Sequence, residues 1–281
     1  MIFMAEQKKK IELKNKKIWI AGMTGMVGQA ILRQLKKKKY NFKLLNSKHL
    51  DLRRQTDVEA WMKKNKPDII FLAAAKVGGI FANDKYPVDF IEDNLLISLN
   101  VIRSSYLNKV KKLVYLGSSC IYPKNIEQPI TENLILSGAL EPTNQWYALA
   151  KISGMKICEA YRKQFGCNFI TLLPSNLYGP GDNFNLKSSH VPAALMDRFH
   201  FAKEKKKKYV SVWGTGKPLR EFLFVDDMAE ASVFLAENYN LKEPINVGTG
   251  KEISIEQFAT LIKKVVSYNG KIVFDKKKPD G

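Results

Sequence analysis

Tyr147 stands four positions before Lys151, and no other tyrosine in the sequence has a lysine at this distance. On a helix, positions i and i+4 share one face about a turn apart. A lysine ammonium beside a phenol favours the phenolate, so Tyr147 can exchange a proton near neutral pH. The same ammonium can bind a ribose hydroxyl of a dinucleotide. A plain surface pair has the same spacing, so the pair indicates catalysis only if a cofactor site lies nearby.

A glycine-rich turn provides such a site. Residues 22–28 have the spacing Gly-x-x-Gly-x-x-Gly, between an apolar stretch at residues 18–20 and a segment with helical periodicity at residues 27–35. Glycines at a strand–helix junction let the backbone approach a pyrophosphate, and the helix N-terminus supplies donors. The alternative is a plain tight turn. The expected cofactor contacts here are Gly22, Thr24, Gly25, Met26, Val27 and Gly28.

The end of the second predicted strand, residues 42–45, distinguishes the two nicotinamide dinucleotides. An acid at this place would bind the ribose 2′-hydroxyl of NAD. The strand instead runs into Ser47 and Lys48, and the next acid is Asp51. Because Ser47 and Lys48 can receive a 2′-phosphate, we expect NADP(H) to be preferred over NAD.

The elements that must position these residues alternate between strand and helix. Apolar runs predict buried strands at residues 18–20, 42–45, 69–75, 113–116 and 169–173, and periodic segments predict helices at residues 58–64, 90–107 and 148–165. This order predicts an α/β fold, a Rossmann-like doubly wound parallel sheet.

The order of elements loosens after residue 174. A helix at residues 191–203, short strands at residues 210–213 and 221–224, and a helix capped by Ser254 that runs to about Tyr268 predict a smaller C-terminal α+β lobe. We therefore expect an NADP-binding Rossmann domain at residues 1–174 and a mainly substrate-binding lobe at residues 175–281.

Composition limits the class of protein. The chain has 281 residues, of which 45% are hydrophobic, so we expect a globular protein. No apolar run is long enough to span a bilayer, and residues 1–17 lack a secretory signal pattern. Three cysteines (Cys120, Cys158 and Cys167) favour reduced thiols in a cytoplasmic protein. We expect no membrane partner and no metal site.

The formal net charge of +19 at pH 7 raises the possibility of nucleic-acid binding. The lysines fall in separate clusters, at residues 8–10, 36–39, 205–208 and 276–278, and are not interleaved with aromatic residues as a base-stacking surface would be. We therefore expect a solvated lysine-rich surface, no nucleic-acid partner, and some steering of an anionic substrate.

Together, the glycine turn, the Ser118–Ser119 pair after the fourth strand and Tyr147-x-x-x-Lys151 resemble the extended short-chain dehydrogenase/reductases that act on nucleotide sugars. Further stretches are similar to the members that act as 3,5-epimerases and 4-reductases on GDP-4-keto-6-deoxy-mannose and form GDP-L-fucose. These stretches are residues 73–80, 116–123, 141–144, 176–180, 189–191 and 220–227. The resemblance covers essentially the whole chain.

The resemblance implies two epimerisations and one reduction in one site. The 4-keto group acidifies the hydrogens at C3 and C5, and NADPH delivers hydride to C4. Ser118 is implied to bind the keto oxygen, and Tyr147 to protonate the C4 oxygen while Lys151 lowers its pKa. Cys120 and His190 are implied as base and acid of the epimerisations.

The resemblance also implies binding residues, a GDP-sugar substrate and a homodimer formed through the two long helices. The further cofactor contacts are Leu116, Gly117, Ser118, Ser119, Tyr147, Lys151, Pro174, Ser175, Asn176, Leu177 and His190. The substrate contacts are Arg198, Trp213, Arg220 and Asp280. Two departures stand out. Thr24 occupies a position where relatives often carry a basic residue, and relatives continue past Gly281, so we expect a shortened or incomplete second lobe.

Other interpretations remain open at this stage. Ser118 can be a strand-end cap, Cys120 a core residue and His190 a helix-start residue. Arg220 can be a surface ion-pair partner of Glu221 or Asp226. A sugar-nucleotide 4,6-dehydratase or 4-epimerase of the same superfamily is a further alternative. A dehydratase would typically carry an Asp-Glu pair directly after the strand-end serine or threonine, where this chain has Ser119, Cys120 and Ile121. An enzyme acting on another GDP-4-keto sugar, of heptose or colitose type, and a non-catalytic nucleotide-binding protein are the remaining alternatives.

Overall fold

The computed structural model describes residues 10–185, 189–278 and 280. Within them, six parallel strands form the central sheet. The strands are β1 (Lys17–Ala21), β2 (Lys43–Leu44), β3 (Ile69–Leu72), β4 (Lys112–Leu116), β5 (Phe169–Pro174) and, far along the chain, β9 (Ile245–Val247). Their order across the sheet is β2-β1-β3-β4-β5-β9. The near-continuous apolar runs arise because strands covered on both faces bury every side chain.

Helices cover both faces of this sheet. They are α1 (Met26–Lys37), α2 (Gln55–Asn65), α3 (Ile80–Lys85), α4 (Pro87–Leu107), α5 (Gln145–Phe165) and α7 (Val225–Asn238). One core lies between the sheet and α1 and α7, and a second lies between the sheet and α2, α4 and α5. The carboxyl ends of the strands, where ligands bind in such folds, therefore open between the two helical layers.

The remaining elements form a smaller lobe. It contains β6 (Asn176–Tyr178), α6 (Val191–Glu204), β7 (Tyr209–Trp213), β8 (Leu219–Phe224), β10 (Glu252–Ser254), α8 (Ile255–Val266) and β11 (Lys271–Asp275). Strands β10, β8 and β6 form one small sheet and β11 pairs with β7. A third core joins α6, α8 and β7.

These observations confirm the predicted fold class and most predicted elements. Ser254 caps α8 as predicted, because its side chain accepts from the Gln257 backbone in a complete capping box. Strand β3 ends at Leu72 rather than at residue 75, and β2 has only two residues. Among the described residues, no helix is both long enough and apolar enough to cross a bilayer.

The predicted domain boundary after residue 174 does not divide the structure into two continuous parts of the chain. That residue is where the chain first leaves the central sheet, but the chain later returns to it through α7 and β9. Helix α7, which the sequence analysis did not predict, packs beside α1, and Arg33 of α1 donates to Asp226 of α7 at 3.1 Å. The Rossmann layer is thus built from two separate parts of the chain.

Candidate active site

The glycine turn joins β1 to α1, and its three glycines serve different purposes. Gly22 has a φ of 89°, and a Cβ there would lie 2.6 Å from the backbone nitrogen of Ala74. A Cβ on Gly28 would lie 2.2 Å from the carbonyl oxygen of Gly22. Gly25 differs, because the nearest atom to its Cβ would be 3.5 Å away and the residue is exposed. The turn is therefore closed by packing at Gly22 and Gly28 and open at Gly25.

The open side of this turn is the N-terminus of α1. Gly25 is the N-cap, without a side-chain capping bond and without an acidic residue in the first turn. The first N–H groups of a helix have no acceptor within the helix. In α1 these groups include the N–H groups of Met26 and Val27. Thr24 is exposed beside them. The first N–H groups of α1 and the positive end of its dipole suit the binding of a pyrophosphate group, and Gly25 has no side chain that would block its approach.

The end of β2 carries no available acid. Ser47 is fixed there, because its Oγ accepts from the Trp19 indole at 2.8 Å. Lys48 is exposed and forms no salt bridge within the described part of the chain. Asp51 accepts from Arg53 at 2.9 and 2.8 Å, and these bonds lower the pKa of its carboxyl to about 2. The strand end thus presents a free ammonium and a paired carboxylate, an arrangement that suits a 2′-phosphate.

Ser118 lies at the carboxyl end of β4. It caps a single 3-10 turn, Ser119–Ile121, because its Oγ accepts from the Cys120 backbone at 3.3 Å. The strand-end cap considered as an alternative is therefore present. Ser118 is also a hydrogen-bonding neighbour that lowers the pKa of the Tyr147 phenol and of the Cys120 thiol. The structure thus places Ser118 close to two of the predicted catalytic groups.

Cys120 is half-buried against the core on the α5 side of the sheet. Burial raises the pKa of its thiol to about 11, while Ser118 and then Lys151 lower it. The thiol is therefore protonated at neutral pH in this state. Its two polar neighbours are the groups that would favour a thiolate.

Lys151 is buried beneath the site, with 4% of its surface exposed. Its Nζ donates to the carbonyl of Leu116 at 2.8 Å and lies 5.1 Å from the centre of the Tyr115 ring and 5.7 Å from that of Tyr147. Burial lowers the pKa of Lys151 to about 8, and Cys120 opposes this change. The ammonium therefore reaches the carboxyl end of β4, where the predicted cofactor contacts Leu116 and Gly117 lie.

The expected lowering of the Tyr147 pKa by Lys151 is wrong for this structure. Burial is the main cause that raises the pKa of Tyr147 well above its usual value, followed by Cys120 and Tyr115, and Ser118 only partly opposes them. The Lys151 ammonium donates to the Leu116 carbonyl, and among the described residues no hydrogen bond joins it to the Tyr147 hydroxyl. Tyr147 is thus a phenol at neutral pH, as a proton donor must be.

His190 is the N-cap residue of α6 and makes no side-chain capping bond. Its surface is exposed, yet the surrounding protein desolvates the imidazole and lowers its pKa, while Asp182 raises it. The loop that carries Asp182 reaches the cofactor turn, because a Cβ on Gly181 would lie 3.6 Å from the Met26 Cα. His190 therefore lies at the start of α6 with Asp182 nearby, and within the described part of the chain no hydrogen bond joins it to Cys120.

The predicted cofactor residues after β5 lie where the chain passes from the large sheet to the small one. Ser175 donates its backbone N–H to Val247 at 3.0 Å, and its hydroxyl is buried without a partner in the described residues. The side chain of Asn176 donates to the carbonyl of Glu221 at 2.9 Å. The flanking residues are Pro174 and Leu177. The hydroxyl of Ser175 thus has hydrogen-bonding capacity that no described residue satisfies.

Three predicted substrate residues meet at the end of β7. The Arg198 guanidinium and the Lys278 ammonium each lie 5.4 Å from the Trp213 ring. The carboxylate of Asp280 accepts from the Thr215 backbone at 2.5 Å and from its hydroxyl at 2.9 Å. The end of β7 thus brings together an aromatic ring, two cations near it and a carboxylate that is hydrogen-bonded to Thr215.

Arg220, the fourth predicted substrate residue, lies apart on β8. Its guanidinium donates to the carbonyl of Leu219 at 2.7 Å. The two acids weighed as its surface partners have other contacts, because Glu221 accepts from the Gly250 backbone at 2.9 Å and Asp226 pairs with Arg33.

Sequence reasoning missed Asn94, which supports the cleft from α4. This buried side chain accepts from the Lys76 backbone N–H at 2.9 Å and donates to the carbonyls of Lys76 and Phe90 at 3.0 and 2.7 Å. It thereby fixes the segment after β3, against which Gly22 packs. The only signal in the sequence is an amide among the apolar residues of α4. Among the described residues, no group of three His, Cys, Asp or Glu could hold a metal ion.

Comparison with known proteins gives concordant matches. The model of the NAD dependent epimerase/dehydratase family matches residues 18–248. A GDP-L-fucose synthase of Sinorhizobium fredii is 52% identical over 269 residues, which are 96% of this chain and 86% of that protein. A GDP-L-fucose synthetase from Naegleria fowleri, solved bound to NADP, is similar with a TM-score of 0.90 and 34% identity, over 98% of this chain and 85% of that one. A GDP-6-OMe-4-keto-L-xylo-heptose reductase from C. jejuni has a TM-score of 0.90 and 36% identity, over 96% and 89%.

Proposed function

Because the chain belongs to the NAD dependent epimerase/dehydratase family, we propose that it epimerises GDP-4-keto-6-deoxy-D-mannose at C3 and C5 and reduces C4, giving GDP-L-fucose. The observation that carries this proposal is the cluster of Ser118, Cys120, Tyr147 and Lys151 at the carboxyl end of β4. The relative named GDP-L-fucose synthase is 52% identical, whereas the heptose reductase is 36% identical, which favours the fucose product.

NADP(H) is the cofactor, and when bound it supplies the hydride for C4. Gly25 and the first amides of α1 receive the pyrophosphate, and Ser47 and Lys48 receive the 2′-phosphate. We expect kcat/KM to be higher with NADPH than with NADH, and Lys48→Glu to move the preference toward NADH. A ratio at or below one for the unaltered protein would contradict this assignment.

For the reduction, Tyr147 is the proton donor to the C4 oxygen, and its raised pKa keeps it protonated until the alkoxide forms. Ser118 hydrogen-bonds the keto oxygen and stabilises the enolate of the earlier steps. Lys151 lies close enough to the Tyr147 ring to stabilise the phenolate that remains after proton transfer, and it binds the cofactor ribose.

For the epimerisations, Cys120 and His190 exchange protons with C3 and C5. Burial disfavours the charged form of each group, since it raises the thiol pKa and lowers the imidazole pKa. The neighbours act in the opposite direction, because Ser118 and Lys151 favour a thiolate and Asp182 favours an imidazolium. Cys120 as base and His190 as acid are therefore each supported by their own neighbours.

The sugar nucleotide binds mainly to the smaller lobe, which lies within residues 175–281 and excludes α7 and β9, and the cofactor binds mainly to residues 1–174. Arg198, Trp213, Arg220 and Asp280 are the proposed contacts of the substrate. A guanidinium is suited to a diphosphate, because its planar fork donates two parallel hydrogen bonds. Trp213 is 39% exposed, so part of its ring is accessible to a guanine base, which can stack on an aromatic face.

A direct test incubates the protein with GDP-4-keto-6-deoxy-D-mannose and NADPH and identifies the product by NMR. GDP-L-fucose is expected. Conversion only of a GDP-4-keto sugar of heptose or colitose type would move the assignment to those enzymes. NADPH binding without turnover of any such sugar would leave a nucleotide-binding protein.

We further propose a homodimer in the cytoplasm. The long helices α4 and α5 pack against each other, yet they also expose apolar side chains, among them Val88, Leu99, Trp146 and Leu149. A second copy of the same pair would cover them in a four-helix interface. The cytoplasmic location is supported by three cysteines that are all unpaired.

A further inference from the structure

Lys151 poses an electrostatic problem that its own hydrogen bonds do not solve. An ammonium has three N–H donors, but the described residues give it one acceptor, the carbonyl of Leu116 at 2.8 Å. The titratable groups that face it are the phenols of Tyr115 and Tyr147 and the thiol of Cys120. No carboxylate of the described residues forms a salt bridge with it. A buried charge without a counter-ion is costly, so another group must stabilise it.

Tyr115 is in a position to do so. It lies on β4 directly under α5, is 1% exposed, and has its ring centre 5.1 Å from the Lys151 ammonium. The face of an aromatic ring attracts a cation within about 6 Å, and more strongly where water is excluded. Both side chains are buried here, so the attraction between the ammonium and the ring is at the stronger end of its range.

The ring of Tyr115 is itself held on three sides. Its hydroxyl donates to the main-chain carbonyl of Lys151 at 3.4 Å and lies 3.3 Å from the hydroxyl of Ser98 on α4. A Cβ on Gly154 would lie 2.2 Å from the Tyr115 hydroxyl and 2.5 Å from its Cζ. Gly154, one turn after Lys151 on α5, therefore provides the gap in which the ring lies.

We propose that Tyr115 is the positioning residue of Lys151, with its ring holding the ammonium in place and in its charged form, and with Gly154 providing the gap that the ring occupies. The inference rests on the proposed function only for the use of Lys151 in catalysis. The contact itself is a property of the protein without ligands. Because burial already lowers the pKa of Lys151 to about 8, loss of the ring should lower it further.

The test measures the Lys151 pKa directly, in protein labelled with 13C at lysine Cε, by NMR titration without cofactor or substrate. Loss of the signal in Lys151→Met assigns it. Tyr115→Leu, which removes the ring, should lower the Lys151 pKa by about one unit. Tyr115→Phe keeps the ring and should change the pKa by less than about a third of a unit. Lys112, buried at the other end of β4, is the internal control and should titrate unchanged in every variant.

A second variant reaches the same contact from the helix. Gly154→Ala must push the ring aside, so it should lower the Lys151 pKa in the presence of Tyr115 and have no further effect in the Tyr115→Leu background. The inference fails if Tyr115→Leu and Gly154→Ala titrate like the unaltered protein, or if Tyr115→Phe shifts the pKa as far as Tyr115→Leu. A protein that shows the predicted shifts but converts no sugar would refute the proposed function alone.

Discussion

At the scale of single residues, the site depends on which groups hold protons before substrate arrives. Tyr147 must be a phenol to protonate the C4 oxygen, and its burial ensures this. Tyr147→Phe should therefore leave NADPH binding nearly unchanged and slow the reduction by about two to four orders of magnitude, the usual effect of losing a general acid. Single-turnover oxidation of NADPH by the keto sugar measures the rate. Near-normal turnover would show that Tyr147 and Lys151 are only a structural pair.

Cys120 is the residue whose protonation state is least favourable for its proposed role. Its thiol pKa is raised to about 11, so the thiolate fraction, and with it the base-catalysed rate, should rise up to tenfold per pH unit across the neutral range. In heavy water, with oxidised cofactor bound, the protein should wash deuterium into C3 and C5. Cys120→Ser should lose most of this exchange, because a hydroxyl is a far weaker acid than a thiol.

The same variant separates epimerisation from reduction. With NADPH, Cys120→Ser should reduce the sugar before inverting it and form a GDP-6-deoxy-D-hexose, since Tyr147 is intact. His190→Asn should slow exchange at one or both carbons. If Cys120→Ser exchanged deuterium and formed the L-sugar at the normal rate, the thiol would be a packing residue.

The sequence predicted which catalytic side chains lie together, but it did not predict their pKa values. The types and spacing of Tyr147 and Lys151 were sufficient to indicate that they lie together, because a helix fixes that relation locally. The direction of the Tyr147 pKa shift could not be predicted, because it depends on burial and on Tyr115 and Cys120, which lie on β4 and in the turn after it. The role of Asn94 was not predicted for the same reason, because its hydrogen-bond partner Lys76 lies 18 positions away in the sequence.

At the scale of elements, the turn between β1 and α1 allows a matched comparison of two glycines. Gly28→Ala places a methyl group 2.2 Å from the Gly22 carbonyl and should destabilise the protein by about 1–3 kcal/mol. Gly25→Ala meets no such contact and has an ordinary φ of −81°, so its stability should change by less than about 0.5 kcal/mol.

NADPH affinity should separate these two variants again. Gly25→Ala fills the open face of the turn and should weaken NADPH binding by about ten- to a hundredfold through loss of a charged hydrogen bond. Urea unfolding and fluorescence titration measure the two effects. Equal loss of stability in both variants, or unaltered NADPH affinity in Gly25→Ala, would contradict this description of the turn.

The sequence predicts an element well when contiguous residues specify it, and poorly when contacts with distant residues do. Buried parallel strands and the N-cap at Ser254 depend on contiguous residues and were predicted. Strands β6 and β10 have three residues each, and their pairing with β8 depends on contacts far along the chain. The start of α7 is indicated locally by two aspartates in its first turn. Its packing against α1 is a tertiary contact that the local sequence does not indicate.

At the scale of the whole molecule, the apolar side chains left exposed on α4 and α5 determine the last prediction. Val88 is 63% exposed and Leu99 44%, which is unfavourable unless a second subunit covers them. Light scattering at micromolar concentration should give the mass of a dimer. The double variant Val88→Glu, Leu99→Glu should give a monomer, because each buried carboxylate would lack a partner in the interface. Phe234→Glu, at a residue of α7 that is 55% exposed and lies outside these helices, is the matched control and should remain a dimer. A monomer mass for the unaltered protein, or dissociation by the control as well, would mean that α4 and α5 do not form the subunit interface.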